Sequence, residues 1–290
     1  MDTTEIVNEI QEKYNIIGRE RALSKIILAR SVGKNILIEG EVGVGKTVLA
    51  RAVADHYDSN FYRIDCSEET LPHNLVGYFD PPLVIKKGYS DETFVHGPLT
   101  AAMKDGDCLF INEINRMPES TQNVLLTALD ERILEIPKLE TIKASNSSFF
   151  VIATQNPEAH VGVTVLGEAM KDRFVWIKLD YQPKSEEIQI ILQEVGLEGK
   201  DGEKIAEIAQ AIIQATRDST SVRRGSSIRG GIDLAALMSK QDSIHSTHAW
   251  VESSIMALYN KIELEDGIMR TKKKILKDLV MSVLQNTDFQ

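Results

Sequence analysis

The sequence contains few features of a secreted, membrane-spanning or disordered protein. Only two of its 290 residues are cysteines. This excludes a disulfide scaffold, and Cys66 and Cys108 lack the spacing of metal ligands. No run approaches the roughly 18 apolar residues of a membrane-spanning helix. The first ten residues are acidic and lack the apolar core of a signal peptide. Hydrophobic residues make up 42% and charged residues 26%, so we expect a soluble, cytoplasmic globular protein with reduced thiols.

Positive charge is also scarce. Lysine and arginine total 33 against 43 acidic residues, which gives a net charge of −10. This balance disfavours a surface built to bind nucleic acid. The basic run 272–274, with Lys277, has helical spacing and predicts the solvated face of a helix. His73, His96 and His160 are scattered over separate predicted loops, so we predict no histidine metal site.

The first half of the chain alternates short apolar segments with amphipathic ones. This alternation predicts an α/β fold in which helices cover both faces of a parallel sheet. Each predicted strand is rich in isoleucine, valine, leucine or phenylalanine and is bounded by polar or turn residues. The predicted strands are residues 35–39, 61–65, 108–111, 149–153 and 175–179.

Two stretches are too long to be plain connections between these strands. Residues 75–97 contain several glycines and a Pro-Pro pair, which indicates an inserted loop or hairpin. Residues 133–148 form a second candidate insertion, in which residues 135–138 and 146–148 are expected to form strands and a turn. From residue 185 onward, apolar residues recur at helical spacing. We therefore place a domain boundary near residues 180–184.

The strongest motif is a glycine-rich loop that directly follows the first predicted strand. Residues 40–47 have the pattern Gly-x4-Gly-Lys-Thr. Glycines let backbone N–H groups curl around a β-phosphate, and the following helix directs its positive end there. Lys46 adds a mobile charge for the β- and γ-phosphate oxygens, and the Thr47 hydroxyl is a ligand for Mg²⁺. The predicted nucleotide-binding residues are Gly40, Glu41, Val42, Gly43, Val44, Gly45, Lys46, Thr47 and Val48.

A second motif ends the strand at 108–111, where Asn112 and Glu113 follow an apolar run. Ligands bind at the carboxyl ends of strands in an open parallel sheet. There Glu113 is placed to orient and partly deprotonate an attacking water. The position before it normally holds an aspartate that serves the Mg²⁺ shell, and Asn112 supplies an amide oxygen without that charge. Asp105 and Asp107 precede the strand, about 16 Å from its far end, and do not replace it. We expect Thr47 and Asn112 to serve the metal, with weakened affinity.

A third strand, at 149–153, is followed by the amides of Gln155 and Asn156. A neutral amide can position a γ-phosphate or a lytic water without competing for its proton. Considered alone the segment is a weak signal, because Asn-Pro after a strand is most often a turn.

Taken in order, these blocks resemble the MoxR-type AAA+ ATPases. The resemblance rests on the phosphate loop, on residues 112–118 and 153–157, and on residues 166–174, which contain Asp-Arg-Phe. It extends from about residue 16 to about residue 229. It implies a P-loop AAA+ α/β core over residues 1–182 and a small all-α lid over residues 183–290. The two inserts then match the helix-2 insert and the pre-sensor-1 hairpin, which face the pore or client in such rings.

The resemblance also assigns roles to individual residues. Ile17 and Gly18 lie in the segment that packs near the adenine, and Asn156 takes the place of the sensor-1 asparagine. Arg173 matches the arginine finger that reaches a neighbouring subunit's nucleotide. Without the family, an ion pair with Asp172 or Glu168 would be the better interpretation of Arg173.

Further arginines leave alternatives open. Arg229 follows Ser227 and Ile228 in a segment similar to the Ser-Pro-Arg of the sensor-2 helix, but Arg223 and Arg224 are close by. Arg116 and Arg132 are interpreted as intersubunit or structural ion-pair residues.

The sequence thus favours a Mg²⁺-dependent ATP hydrolase that assembles as a homo-oligomeric ring. The resemblance implies a hexamer that remodels or matures a protein client, and a partner with a von Willebrand factor A domain. One alternative is a nucleotide-gated binding module with weak or no hydrolysis, which Asn112 motivates. Another is a DNA-linked AAA+ motor, against which the net charge argues.

Overall fold

The chain folds into two compact units in a computed structural model that describes residues 2–144, 148–157 and 166–286. The first unit comprises the residues up to Glu41 and Gly45–Asp180. The second comprises Val42–Val44 and the chain from Tyr181 onward. No helix within the described ranges has the length and apolar composition needed to cross a membrane.

The first unit is built from α-helices and β-strands in alternation. Its helices are α1 (Thr3–Tyr14), α2 (Glu20–Ser31), α3 (Lys46–His56), α4 (Pro72–Val76), α5 (Pro81–Lys87), α6 (Pro98–Asp105), α7 (Glu119–Asp130) and α8 (Glu168–Lys171). Its strands are β1 (Asn35–Gly40), β2 (Phe61–Asp65), β3 (Gly77–Phe79), β4 (Phe94–His96), β5 (Cys108–Asn112), β6 (Ile133–Leu134), β7 (Ile142–Lys143), β8 (Phe150–Gln155) and β9 (Phe174–Leu179). Two short 3₁₀ turns lie at Asp91–Thr93 and Ile114–Arg116.

Five of these strands form one parallel sheet in the order β2-β5-β8-β1-β9. The prediction of an α/β fold with a parallel sheet is confirmed, and all five predicted strands belong to this sheet. The central strands β5 and β8 are almost wholly buried because they are continuous apolar runs. Their carboxyl ends, with those of β1 and β2, share one edge of the sheet, which we call the carboxyl edge. The opposite edge, where these strands begin, we call the amino edge.

The two predicted insertions have defined structures. In residues 75–97, β3 and β4 pair as an antiparallel hairpin, and α5 lies between them in the chain. In residues 133–148, β6 pairs with β7. Residues 137–138 form a turn and not a strand, because Pro137 lacks a ladder N–H and Lys138 adopts a positive φ of 73°. Of the other segment in this prediction, 146–148, residues 146 and 147 lie outside the described residues.

The second unit is helical apart from one short ribbon. Its helices are α9 (Lys184–Val195), α10 (Gly199–Asp218), α11 (Ile228–Met238), α12 (Thr247–Leu258) and α13 (Lys272–Asn286). The strands β10 (Val222–Arg224) and β11 (Glu263–Leu264) pair antiparallel, so the expectation of an all-α region overlooks this ribbon. Its core contains a buried ion pair between Arg217 and Glu187, 2.9 Å apart. The lysines 273, 274 and 277 are exposed on α13, as expected for a solvated face.

Candidate functional site

The glycine-rich loop connects β1 to α3 at the carboxyl edge. Gly43 and Gly45 have φ angles of +84° and +95°, a region that side chains disfavour, so glycine is required at both positions. Lys46 opens α3, and Thr47 and Val48 follow in its first turn. The N–H groups of a first helical turn have no partners within the helix and favour negative charge. The loop and α3 therefore form an anion-binding element of the type that holds phosphates.

The side chain of Lys46 is 9% exposed and lies within this element. Its Nζ donates hydrogen bonds to the carbonyl oxygens of Gly40 and Glu41, at 2.6 and 2.9 Å, and to Oδ1 of Asn156, at 3.0 Å. These contacts fix the ammonium between the glycine-rich loop and the carboxyl end of β8. Two residues predicted to serve the same phosphates are thus in direct contact.

Asn156 also contacts the third predicted catalytic residue. Its Nδ2 donates to Oε1 of Glu113 at 3.2 Å, and Oε2 of Glu113 lies 3.1 Å from Nε of Arg116. Lys46, Asn156 and Glu113 therefore form one continuous chain of hydrogen bonds. Arg116 takes part through Glu113, which fits the ion-pair role considered for it.

The backbone at Glu113 is in a sparsely populated conformation. Its φ and ψ are 55° and 49°, in the left-handed region that non-glycine residues rarely adopt. The N–H of Glu113 donates to the Thr154 hydroxyl at 3.1 Å, which helps to hold this geometry. Backbone strain of this kind costs on the order of 1–3 kcal/mol and tends to occur at functional sites. Here it turns the chain out of β5 and directs the carboxylate toward Asn156.

Asn112, the last residue of β5, is bound on both sides. Its Oδ1 accepts from the Thr154 hydroxyl at 2.8 Å, and its Nδ2 donates to Oδ1 of Asp65 at 2.8 Å. Asp65 ends β2 and is in register with Asn112. Arg63 donates to both carboxylate oxygens and, together with the hydrogen bond from Asn112, holds the pKa of Asp65 below its ordinary value. Asp65 is therefore ionised at neutral pH.

Sequence reasoning missed Asp65 and Thr154. The missed signal was the end of the strand at 61–65, which places Asp65 at the carboxyl edge. Asp105 and Asp107, the carboxylates considered as replacements for the usual aspartate at position 112, precede β5. Thr154 gave no signal because a threonine inside an apolar strand is usually core.

Arg173 lies at the amino edge, away from the other predicted catalytic residues. Phe174 of β9 is in register with Asn35, the first residue of β1. The glycine-rich loop begins where β1 ends, about 17 Å further along the strand. The predicted arginine finger is thus far from the phosphate loop of its own chain.

The contacts of Arg173 differ from those expected of a surface arginine at this position. Its guanidinium pairs with Oδ2 of Asp130, 2.6 Å from Nη2 and 2.8 Å from Nε, and also donates to the carbonyl of Ala169. The expected partners, Asp172 and Glu168, are wrong, because Asp130 at the end of α7 is the carboxylate within reach. The pair lines a cleft of about 970 Å³ at the amino edge.

Arg132, in the same cleft, is bonded to the backbone and makes no ion pair with any residue that the structure describes. Its two terminal nitrogens donate to the carbonyl oxygens of Phe149 and Gly33, both at 3.0 Å. Burial lowers the pKa of this guanidinium. Arg132 therefore holds two backbone segments together, which is a structural role.

In the second unit, the three candidate arginines have different surroundings. Arg223 pairs with Glu263 and Asp266, and Arg224 pairs with Glu263, all within or beside the β10–β11 ribbon. Arg229 is exposed in the first turn of α11, and its guanidinium makes no ion pair with any described residue. Arg229 is thus the one of the three without an ion pair in the described part of the chain, and its assignment as the sensor stays a prediction.

The remaining predicted groups have simpler environments. Ile17 and Gly18 lie in the turn between α1 and α2, where Gln11 donates to the Gly18 carbonyl at 2.7 Å. Both thiols are buried, and burial raises the pKa of Cys108 and that of Cys66, the latter to about 12, so neither thiol is activated as a nucleophile. Within the described ranges, no three histidine, cysteine or acidic side chains are grouped as metal ligands. His160 lies outside the described residues.

Comparison with known proteins identifies the family. A model of the AAA domain, dynein-related subfamily, matches residues 35–174. The uncharacterized protein YojN of Bacillus subtilis (strain 168) is 34% identical over 223 residues, covering 75% of this chain and 71% of that protein. The chain belongs to the AAA domain family, in its dynein-related subfamily. An uncharacterized protein of Staphylococcus aureus (strain USA300) is 32% identical to this AAA protein over 242 residues, or 80% and 91% of the two chains.

Solved structures share the fold of this AAA protein. A "putative ATPase" from Cytophaga hutchinsonii is 21% identical, with a TM-score of 0.52 over 96% of this chain and 94% of that chain. A mutant form of RuvB from Thermotoga maritima is 17% identical, with the same TM-score of 0.52 over 94% of this chain and 72% of that chain. At these identities the likeness concerns the fold alone.

Proposed function

We propose that this AAA protein is a Mg²⁺-dependent ATP hydrolase of the MoxR type. The observation that carries the proposal is the hydrogen-bonded chain from Lys46 through Asn156 to Glu113. It joins a phosphate-binding cation, a positioning amide and a general base at one edge of the sheet. These are the parts that phosphoryl transfer to water requires, since its catalysis is mainly positioning and charge stabilisation.

Each residue has a role that its surroundings support. Lys46 exchanges carbonyl partners for phosphate oxygens, and the N–H groups of residues 40–48 bind the same phosphates. Glu113 accepts a proton from the attacking water, and Asn156 holds that carboxylate in place. Ile17 and Gly18 contribute to the nucleotide site from the turn after α1.

Oxygen ligands at the start of α3 and the end of β5 fit a Mg²⁺ ion, which prefers hydroxyl, amide and carboxylate oxygens together with several waters. Thr47 and Asn112 would hold it or its waters. Bound there, the ion would neutralise charge on the β- and γ-phosphates. Asn112, which stands where an aspartate is usual, motivates the second candidate, a nucleotide-gated binding module with weak or no hydrolysis.

We further propose a homo-oligomeric ring, of six subunits by resemblance, in which Arg173 acts on a neighbouring subunit. Two observations support this: Arg173 is about 17 Å from its own glycine-rich loop, and it lines an open cleft. Residues 183–290 would act as a lid in which Arg229 senses nucleotide. From the MoxR resemblance we propose that the protein remodels a protein client and binds a partner with a von Willebrand factor A domain. We propose a cytoplasmic location because the activity requires ATP.

Steady-state ATP hydrolysis across a protein concentration series with Mg²⁺ tests the proposal. Turnover per subunit should rise with concentration, because the arginine comes from a neighbour. Lys46→Ala should weaken ATP binding about a hundredfold and abolish turnover, since it removes a buried charge that pairs with phosphate. Lys273→Ala is the matched control, because Lys273 is an exposed lysine on α13 and is not part of the proposed site or of the Arg173 cleft.

Two results would contradict the proposal that the protein hydrolyses ATP. Binding of ATP without turnover at any concentration favours the gated module, with a partner protein as the missing activator. Equal ATP binding by wild type and Lys46→Ala contradicts a nucleotide site at this loop.

A further inference from the structure

The carboxyl edge contains a carboxylate that the nucleotide motifs do not include. Asp65 and Asn112 end neighbouring parallel strands and are in register, so their side chains emerge on the same face of the sheet. Their contact is direct, with Nδ2 of Asn112 donating to Oδ1 of Asp65 at 2.8 Å. A negative charge is therefore present one strand away from the position where an aspartate is normally found.

The hydrogen bonds around Asn112 fix which way its amide faces. The Thr154 hydroxyl accepts from the N–H of Glu113 and has a single proton, which it donates to Oδ1 of Asn112. The carboxylate of Asp65 accepts only, so it requires the NH₂ group of Asn112 on its side. Thr154 is fully buried, so water does not compete for its hydroxyl. Asn112 thus holds Asp65 in place, and only one lone pair of its Oδ1 is left for a metal-bound water.

We propose that Asp65 supplies the carboxylate of the Mg²⁺ shell and that Asn112 is its positioning residue. The inference rests on the proposed function, since it concerns the metal of the same nucleotide site. Mg²⁺ in nucleotide sites usually keeps several waters and needs few protein carboxylates. The carboxylate of Asp65, one strand away, can therefore accept hydrogen bonds from the waters of the ion. It also supplies the negative charge that Asn112 lacks.

Arg63 competes with a metal ion for Asp65 in this arrangement. Its guanidinium donates to Oδ1 and Oδ2 of the carboxylate, at 2.6 and 2.8 Å. The side chains of Arg63 and Asp65 are 42% and 57% exposed, and exposed ion pairs of this kind are weak. A divalent cation with bound phosphates can therefore compete with the guanidinium.

The experiment uses Mn²⁺ as the probe and the ATP analogue AMP-PNP as the nucleotide. Free Mn²⁺ is measured by electron paramagnetic resonance in titrations of the wild-type protein, Asp65→Asn, Asn112→Asp and the double variant. Asp65→Asn should weaken Mn²⁺ binding about tenfold, as expected for one lost charge close to a divalent ion. The double variant, which exchanges the two side chains, should restore binding to within about threefold of wild type. Asp105→Asn, which removes an exposed carboxylate near the amino edge, should leave it unchanged.

Two results would overturn the inference. One is an Asp65→Asn variant that binds Mn²⁺ as tightly as wild type, and the other is an Asn112→Asp change that strengthens binding equally with and without Asp65. Circular dichroism of every variant identifies a folding failure, in which case Asp65→Glu, which keeps the charge, must retain binding. Nucleotide binding without metal is measured first, so failure of the proposed function is recognised there as a protein that does not bind AMP-PNP.

Discussion

The two edges of the parallel sheet use polar side chains in different ways. At the carboxyl edge, polar side chains contact each other, as in the chain of Lys46, Asn156 and Glu113. At the amino edge, Arg132 binds backbone carbonyls, and Arg173 pairs with one partly exposed carboxylate beside an open cleft. The polar side chains of the carboxyl edge thus bind one another, whereas at the amino edge Arg173 lies beside an open cleft. In the proposed ring, Arg173 exchanges Asp130 for a group of a neighbouring subunit.

The largest effect is expected from removing the guanidinium of Arg173. Arg173→Ala should lower turnover on the order of a thousandfold, as expected for an arginine finger, and leave ATP binding unchanged. Glu113→Gln should be equally inactive because it lacks the base. A mixture of the two variants should regain turnover, since an intact Arg173 from one subunit meets an intact Glu113 in another.

The control is a mixture of Arg173→Ala with the double variant Glu113→Gln/Arg173→Ala, which contains no arginine finger and should stay inactive. A mixture of the two single variants that remains as inactive as its components would show that Arg173 does not act between subunits.

A smaller effect is expected from removing one buried polar group at each edge. Thr154→Val leaves Asn112 and the N–H of Glu113 without their partner, and Arg132→Met leaves two carbonyls without theirs. Each should lower the free energy of unfolding by about 1–3 kcal/mol in urea denaturation. Turnover should fall clearly only in Thr154→Val, because that side chain orients catalytic groups. Equal losses of turnover in both variants would contradict the division between the edges.

The smallest effect concerns the ion pair between Arg63 and Asp65. Because the pKa of Asp65 is lowered in the folded protein, its stabilising contribution is present above its unfolded pKa and is lost as the pH falls through the folded pKa. Arg63→Gln removes most of this contribution. It should lower stability at pH 7 by no more than about 0.5 kcal/mol, since the pair is exposed. The difference from wild type should vanish in strong acid; a difference that grows there would contradict the lowered pKa.

The sheet was predictable because strand and phosphate-loop signals are local. Residues 108–111 and 149–153 are short apolar runs, and the glycines of the phosphate loop that need positive φ lie close together in the chain. The left-handed backbone of Glu113 and the contact of Asn112 with Asp65 were not predictable. Both depend on which strands become neighbours and in what register, and residues 47 positions apart carry no local signal of that pairing.

The ion pair of Arg173 shows the same limit. Sequence proximity suggested Asp172 or Glu168, but α7 brings Asp130 to the guanidinium from 43 positions away. The ribbon in the second unit was missed for a related reason, since strands of two or three residues are too short to show alternation.

The full-length pairing of β1 with β9 has a mechanical consequence in the proposed ring. Six consecutive register pairs run from Asn35 opposite Phe174 to Gly40 opposite Leu179. Arg173 therefore immediately precedes a strand that ends beside the first residue of the glycine-rich loop. Hydrogen-bonded parallel strands hardly stretch. A neighbouring subunit that displaces Arg173 would therefore transmit the displacement along β9 to this subunit's own nucleotide loop. Coupling of this kind would let successive subunits hydrolyse ATP in sequence rather than independently.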